Sequence, residues 1–206
     1  MRRSFSPPAP AQTGPGTRDP HPAEAYAGLL RRLAAFALDW LVIAVYIVLL
    51  TVVTLLIGSG LGASAVQGLA NPVLSNAIAF LTLILPVILY FTLLESGPGQ
   101  DTWGKRKLGL RVRRMDGGRL SRGQAAGRAV GKFLPWQLAH TCLFAIPGWP
   151  LAPTAPAWWV MAGFAAVWII VGADLATLGL TATHRTPYDW AAGSMVVVTT
   201  PAPTPH

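Results

Sequence analysis

One stretch of the chain, residues 33–57, reads LAAFALDWLVIAVYIVLLTVVTLLI and contains a single charged side chain, Asp39. A helix needs about 20 apolar residues to cross the hydrocarbon core of a bilayer, so this stretch predicts a transmembrane helix. Two further stretches meet the same length: residues 73–94 contain no charge, and residues 157–180 contain only Asp174. The chain is therefore predicted to be an all-α membrane protein.

The composition supports this prediction and excludes several classes of protein. Of the 206 residues, 52% are hydrophobic and 12% are charged, which is too apolar for an ordinary soluble domain. The single cysteine, Cys142, cannot form an intramolecular disulfide or a metal site built from several cysteines. The sequence contains no zinc-type histidine spacing, no GxSxG motif and no phosphate loop. We therefore expect neither an enzyme nor a bound metal or cofactor.

A fourth stretch, residues 133–147, is shorter and more polar, and it decides between three and four transmembrane helices. Five basic residues precede residue 33 and ten lie in residues 95–132, whereas the connections 58–72 and 148–156 have none. Because basic residues near helix ends stay on the cytoplasmic side, this distribution favours four spans in the cell membrane with both termini in the cytoplasm. The alternative is three spans, with the fourth stretch entering the membrane and returning.

The basic cytoplasmic segment lies between the second and third of these four spans. Alternating apolar residues and a turn signal predict a small hairpin between residues 108 and 120. Ser121 and Gln124 form a capping box that opens an interfacial amphipathic helix. The basic charges would attract anionic lipid or would only fix the orientation, and nucleic acid is not expected because no nucleic-acid motif accompanies them. The candidate lipid-binding residues are Lys105, Arg106, Lys107, Arg122, Arg128 and Lys132.

Charged side chains within a span are the candidate functional groups, because each costs about 2.5–3.5 kcal/mol near the helix centre unless it finds a partner or a wet cavity. Asp39 follows Arg32 by seven residues on nearly the same helix face, so Arg32 or a loop arginine is its predicted partner if Asp39 is structural. Asp174 would lie in the inner half of the membrane, where it could meet Asp39. Histidine suits a proton relay, and His140 could serve as one or could simply pack between helices.

Three short motifs resemble the RDD family of bacterial membrane proteins, which is named for one arginine and two aspartates. The motifs are YAG followed by RRLAAFALD in residues 26–39, TWGKRKLGLRV followed by DGG in residues 102–118, and YDWAAGS in residues 188–194.

The resemblance implies that Arg32 is the arginine, Asp39 the first aspartate and Asp189 the second. Tyr188 stands where the family commonly has a histidine. From the residues alone, Asp189 could instead cap its helix or pair with the basic segment at the surface. The resemblance covers the domain 26–198, which we predict to lie between a disordered tail, residues 1–25, and a short C-terminal tail, residues 199–206.

Two functions are compatible with these observations. The first is a transporter or transport accessory for an ion or small solute. Since the four helices of one chain would not surround a solute path by themselves, a homo-oligomer would enclose it. The second is a membrane scaffold that binds anionic lipid or a partner protein through its basic segment. The candidate ligand or relay residues for the first function are Arg32, Asp39, Asp189, Asp174 and His140.

Overall fold

The computed structural model describes residues 25–60, 71–149 and 152–199, which form a mostly helical protein with one small sheet. The predicted tails lie outside the described residues except at Ala25 and Thr199. The elements in chain order are α1 (Leu29–Gly60), α2 (Pro72–Ala79), a π-helical turn (Phe80–Ile84), α3 (Leu85–Glu95), α4 (Trp103–Lys107), β1 (Leu110–Arg114), α5 (Arg122–Phe144), α6 (Trp158–Leu180), α7 (Pro187–Ala191) and β2 (Ser194–Val198).

Among the described residues, three helical segments are long and apolar enough to cross a membrane: Leu29–Gly60, Pro72–Glu95 and Trp158–Leu180. They cover the three long apolar stretches found in the sequence except for Ala157, so the prediction of three helices of membrane-spanning length is confirmed. Many of their apolar side chains point outward, including Leu56 and Ile169, which are 69% and 71% exposed. An outward-facing apolar surface of this kind is what lipid contact requires.

The second of these segments changes helical geometry partway along. Asn71 caps α2 by accepting the backbone N–H groups of Val73 and Leu74. The π-helical turn then precedes Pro86, which lies in the first turn of α3. Proline has no N–H to donate and its ring disturbs the preceding turn, so the departure from α geometry lies where Pro86 predicts it.

β1 pairs antiparallel with β2, and the register places Val112 opposite Val196. The predicted hairpin between residues 108 and 120 is therefore wrong: the strand exists, but its partner lies more than 80 residues further along the chain. Tyr26 adds a bridge to Val197, and Ala27 donates to the Val196 carbonyl. The sheet thus joins the start of α1, the basic segment and the residues that follow α7. Val112 and Val196 are both buried and form part of its core.

α5 begins where the sequence predicts, because the capping box of Ser121 and Gln124 is present. The helix then continues through Pro135 to Phe144, so the predicted interfacial helix and the fourth apolar stretch form one helix of 23 residues, about 34 Å long. Its side chains pack against α3 in a cluster that includes Phe91 and Phe133, whose ring centroids are 5.1 Å apart.

Candidate functional site

Five charged side chains from five helices form a continuous series of ion pairs, Arg32–Asp189–Arg128–Glu95–Lys105, which we call the buried charge chain. Arg32 donates to Asp189 Oδ2 at 2.7 Å, and Arg128 donates to Asp189 Oδ1 at 2.8 Å. Arg128 also donates to Glu95 Oε2 at 2.5 Å, and Lys105 donates to Glu95 Oε1 at 2.7 Å. Both carboxylates are fully buried, and none of the three basic side chains is more than 8% exposed. The buried charge chain therefore fastens α1, α3, α4, α5 and α7 to one another.

Asp189 is positioned by the first turn of α7. It accepts the backbone N–H of Thr186 at 3.1 Å, which is the capping role that the sequence offered. Gly131 lets α7 approach α5, because a Cβ at that position would lie only 2.8 Å from Tyr188 Cβ. Burial alone would raise the pKa of Asp189, but Arg128 and Arg32 outweigh burial and hold this pKa well below its usual range. The carboxylate therefore remains charged at neutral pH.

Asp39 has a different set of partners. It is fully buried about 15 Å along α1 from Leu29. Its Oδ1 accepts the Gly104 N–H at 2.8 Å and the Tyr90 hydroxyl at 3.1 Å, and its Oδ2 accepts the Thr102 hydroxyl at 2.6 Å. The three neutral donors satisfy the carboxylate and fasten α4 to α1.

The approach of α4 to α1 depends on Gly104. A Cβ at this position would overlap the carbonyl oxygen of Ala35 and would lie 2.9 Å from the Asp39 nitrogen. Any larger residue would therefore push the two helices apart. The glycine and threonine of the TWGK motif thus have a shared role, which is to enclose Asp39.

The predicted pairing of Arg32 with Asp39 is wrong, because Arg32 pairs with Asp189 instead. The reason is that Asp39 is already satisfied by three donors, whereas Asp189 lies close to the start of α1 through the β2 pairing. Arg32 also donates to the backbone carbonyl of His184. The meeting of Asp39 with Asp174 that the sequence suggested does not occur either, since Asp174 lines a cavity to which Asp39 does not contribute.

This cavity has a volume of about 200 Å³ and lies between α1, α5 and α6. Three of the basic side chains that line it, Arg32, Arg128 and Lys105, belong to the buried charge chain. The remaining charged side chains are Lys132 of α5 and Asp174 of α6. Its apolar walls are formed by Leu33, Phe36, Trp136, Val171, Leu175 and Leu178. The cavity is therefore amphipathic, with charged groups set among hydrocarbon.

Lys132 is held over aromatic rings. Its Nζ lies 3.8 Å from the ring centroid of Phe91 and 4.2 Å from that of Phe36. Such cation–π contacts stabilise an ammonium without using up its N–H donors. Within the described residues, neither the Lys132 ammonium nor the Asp174 carboxylate forms an ion pair or a hydrogen bond. Both groups remain available to a ligand in the cavity.

His140 lies on α5, where its Nδ1 is 2.8 Å from the carbonyl oxygen of Trp136 in the preceding turn. The histidine does not line the cavity. Its role in a proton relay remains a prediction, and the contact within its own helix is what the packing alternative requires.

The six candidate lipid-binding residues divide into two groups. Lys105 and Arg128 are buried in the charge chain, and Lys132 faces the cavity, so these three turn inward. Arg106 pairs with Asp101 at 2.9 Å, but its side chain remains 64% exposed. The exposed members of the set are Arg106, Lys107 and Arg122.

Sequence reasoning missed three residues that organise this region. Glu95 directly follows the uncharged stretch of residues 73–94, and a carboxylate at that boundary could have been recognised as a partner for the basic segment. Thr102 and Tyr90 carried no signal, because nothing local indicates that their hydroxyls meet Asp39.

Comparison with known proteins adds one finding about ancestry. A family model described as the RDD family matches residues 26–193, which include every member of the buried charge chain and both Asp39 and the cavity. No curated protein matches the chain.

Proposed function

The chain belongs to the RDD family, and from that premise we propose that it binds an ion or small solute within the membrane and carries it across or assists a transporter that does. The observation that carries the proposal is the cavity of about 200 Å³, where Lys132 and Asp174 face a space walled by apolar side chains. Ionisable groups kept inside a membrane protein are costly and characteristically line a solute path. The buried Asp/Arg pairs beside the cavity keep its walls in place.

The proposal includes a fourth membrane crossing, by α5. The sheet brings the start of α1 together with the middle of the basic segment and the residues after α6, so these three points share one side of the membrane. If α1, Pro72–Glu95 and α6 each cross once, α6 must start on the opposite side, and the chain between Glu95 and Trp158 must cross as well. The 23 residues of α5, which pack along α3 and α6, are long enough to do so.

The orientation follows from the charges on the side that contains the sheet. Arg106, Lys107, Arg111 and Arg122 are exposed there. Basic residues near helix ends are retained in the cytoplasm, so this side and both termini are cytoplasmic in the proposal. The cavity, which adjoins Arg32 and Arg128, then lies in the inner half of the membrane. A homo-oligomer would complete the wall around any continuous path.

Cysteine labelling tests whether the cavity admits solutes. In a Cys142→Ser background, Leu175→Cys places a thiol on the cavity wall, and Ile169→Cys places one on the exposed apolar face of the same helix. In inside-out vesicles we expect a charged, membrane-impermeant thiol reagent to modify the first variant and to spare the second. Equal modification of the two, or none at residue 175, would contradict a solute-accessible cavity.

A flux assay tests transport itself. Proteoliposomes are given gradients of Na⁺, K⁺, protons or radiolabelled amino and organic acids, and flux is compared with that of protein-free liposomes. Leu175→Trp fills the cavity and should abolish any flux that the parent protein shows, whereas the matched variant Ile169→Trp should retain it. Flux that survives Leu175→Trp unchanged would rule out a path through this cavity.

A second candidate function, a scaffold that binds anionic lipid, is favoured by one observation. Arg106, Lys107, Arg111 and Arg122 are exposed on one side of the molecule, and each basic residue near an anionic surface contributes about 1 kcal/mol of attraction. Vesicle flotation would not separate lipid binding from insertion, so native mass spectrometry is the better test. The scaffold would be favoured by two results together. Bound phosphatidylglycerol would be lost when three of these four basic residues are changed to glutamine, and the parent protein would show no flux.

A further inference from the structure

Two charged groups of opposite sign face the cavity and have no ion-pair or hydrogen-bond partner among the described residues. Lys132 projects from α5 and Asp174 from α6, and each side chain is partly buried. Among the described residues no ion pair within 4.0 Å joins them to each other or to a third group. The three other cations that line the cavity are already engaged by Asp189 and Glu95. The free charged groups of the cavity are therefore one ammonium and one carboxylate.

The two groups lie at the same level of neighbouring helices. α5 and α6 are antiparallel, and Gly163 of α6 lies directly against the Cys142 sulfur of α5. Ten residues back along α5 from that contact is Lys132, and ten residues forward along α6 is residue 173, next to Asp174. A ligand could therefore reach both groups without spanning the length of the cavity.

The charges around the cavity indicate what that ligand can be. Lys132 carries one positive charge and Asp174 one negative charge, so the two free charged groups of the cavity sum to zero. A ligand with a net charge would leave that charge uncompensated in an apolar surrounding, which is costly. A ligand that bears one charge of each sign would leave the sum at zero and satisfy both free groups.

The walls and the volume of the cavity set the remaining requirements for the ligand. Leu33, Val171 and Leu175 offer hydrocarbon contact, which suits methylene groups between the two charges. The volume of about 200 Å³ is below the roughly 300–1,000 Å³ of pockets for drug-sized molecules, so the ligand is small.

We propose that the cavity binds a small zwitterion, with its carboxylate on Lys132 Nζ and its ammonium on the Asp174 carboxylate. This inference rests on the proposed solute-binding function and specifies the class of solute. The aromatic rings of Phe36 and Phe91 hold the lysine ammonium in place for the carboxylate. Asp174 distinguishes an amino acid from a simple organic acid, because only the former supplies a cation to it.

Isothermal titration calorimetry in phosphatidylcholine nanodiscs tests the inference with three probes of similar size: γ-aminobutyrate, butyrate and butylammonium. We expect γ-aminobutyrate to bind at least about tenfold more tightly than either singly charged probe, since each charge-assisted contact contributes about that factor. Lys132→Met should remove the advantage of γ-aminobutyrate over butylammonium. Asp174→Asn should remove its advantage over butyrate. Arg122→Met, an exposed position on the same helix as Lys132, is the matched control and should change nothing.

Three results would overturn the inference. Butyrate or butylammonium could bind the parent as tightly as γ-aminobutyrate, or both variants could bind γ-aminobutyrate as the parent does, or none of the probes could bind. In each case labelling of Leu175→Cys still decides whether the cavity admits solutes, so the inference and the proposed function can fail separately. Lys132→Gln, which removes the charge but keeps a polar side chain one atom shorter than lysine, replaces Lys132→Met if the latter does not fold.

Discussion

Replacing Asp39 tests whether this aspartate stabilises the fold or takes part in solute binding. Asp39→Ala removes three hydrogen bonds to a buried carboxylate and leaves the Gly104 N–H and the Thr102 hydroxyl without an acceptor. Hydrogen bonds to a charged group contribute about 1.5–3 kcal/mol each, so the two donors left without an acceptor give an expected loss of about 3–6 kcal/mol in the free energy of unfolding. In Asp39→Asn the amide oxygen keeps the bonds from Gly104 and Tyr90, and the amide nitrogen donates to the Thr102 oxygen. Only the charge is lost, at a cost of about 1–2 kcal/mol.

The assay is equilibrium unfolding in mixed micelles with increasing sodium dodecyl sulfate, followed by solute binding to the folded fraction. Thr92→Val is the matched control, because the buried Thr92 hydroxyl has no hydrogen-bond partner among the described residues and its removal should be neutral or slightly stabilising. The reasoning would be refuted if Asp39→Ala unfolded like the parent. It would also be refuted if folded Asp39→Asn lost solute binding, since that result would assign Asp39 to the ligand.

Three further predictions concern packing and pH. The pKa of Asp189 is lower in the folded protein than in the unfolded chain, so the stability that Asp189 contributes should be complete above about pH 4 and should fall as the pH drops towards the folded-state pKa. Thermal midpoints measured between neutral and acid pH should therefore fall more steeply for the parent than for Asp189→Asn. Gly163→Ala should cost about 1–3 kcal/mol because the new methyl group overlaps the Cys142 sulfur, and Cys142→Ala in the same chain should restore most of the unfolding free energy. Val196→Asp places a charge against Val112 inside the sheet and should lower the yield of monodisperse protein in size-exclusion chromatography, whereas an unchanged yield would show that the pairing of β1 with β2 is dispensable.

The membrane helices were predictable because their signal is local. The length of an uncharged run such as residues 73–94 can be counted in the sequence. The length needed to cross a bilayer is set by the thickness of its hydrocarbon core. The start of α5 was predictable for the same reason, because the capping box of Ser121 and Gln124 depends on residues three apart.

The partners of the charged residues were not predictable, because they depend on how distant parts of the chain meet. Arg32 had a candidate partner seven residues away, yet it pairs with a residue 157 positions further along. The alternation in β1 predicted a strand correctly, but the choice of a nearby partner over β2 could not be made from the pattern. Similarly, Asp39 was recognised as needing stabilisation, while the Thr102 and Gly104 donors became evident only once α4 was seen against α1.

The sheet has a consequence for the way the protein is made. β2 and Asp189 follow the helices of membrane-spanning length in the chain, so until they are synthesised Arg32 lacks its carboxylate partner and Arg128 has only Glu95. The helices can enter the membrane one at a time, but they lock together only when the last strand reaches β1. A nascent chain that stops short of Asp189 would thus be a substrate for membrane quality control, because its unpaired arginines mark it as incomplete.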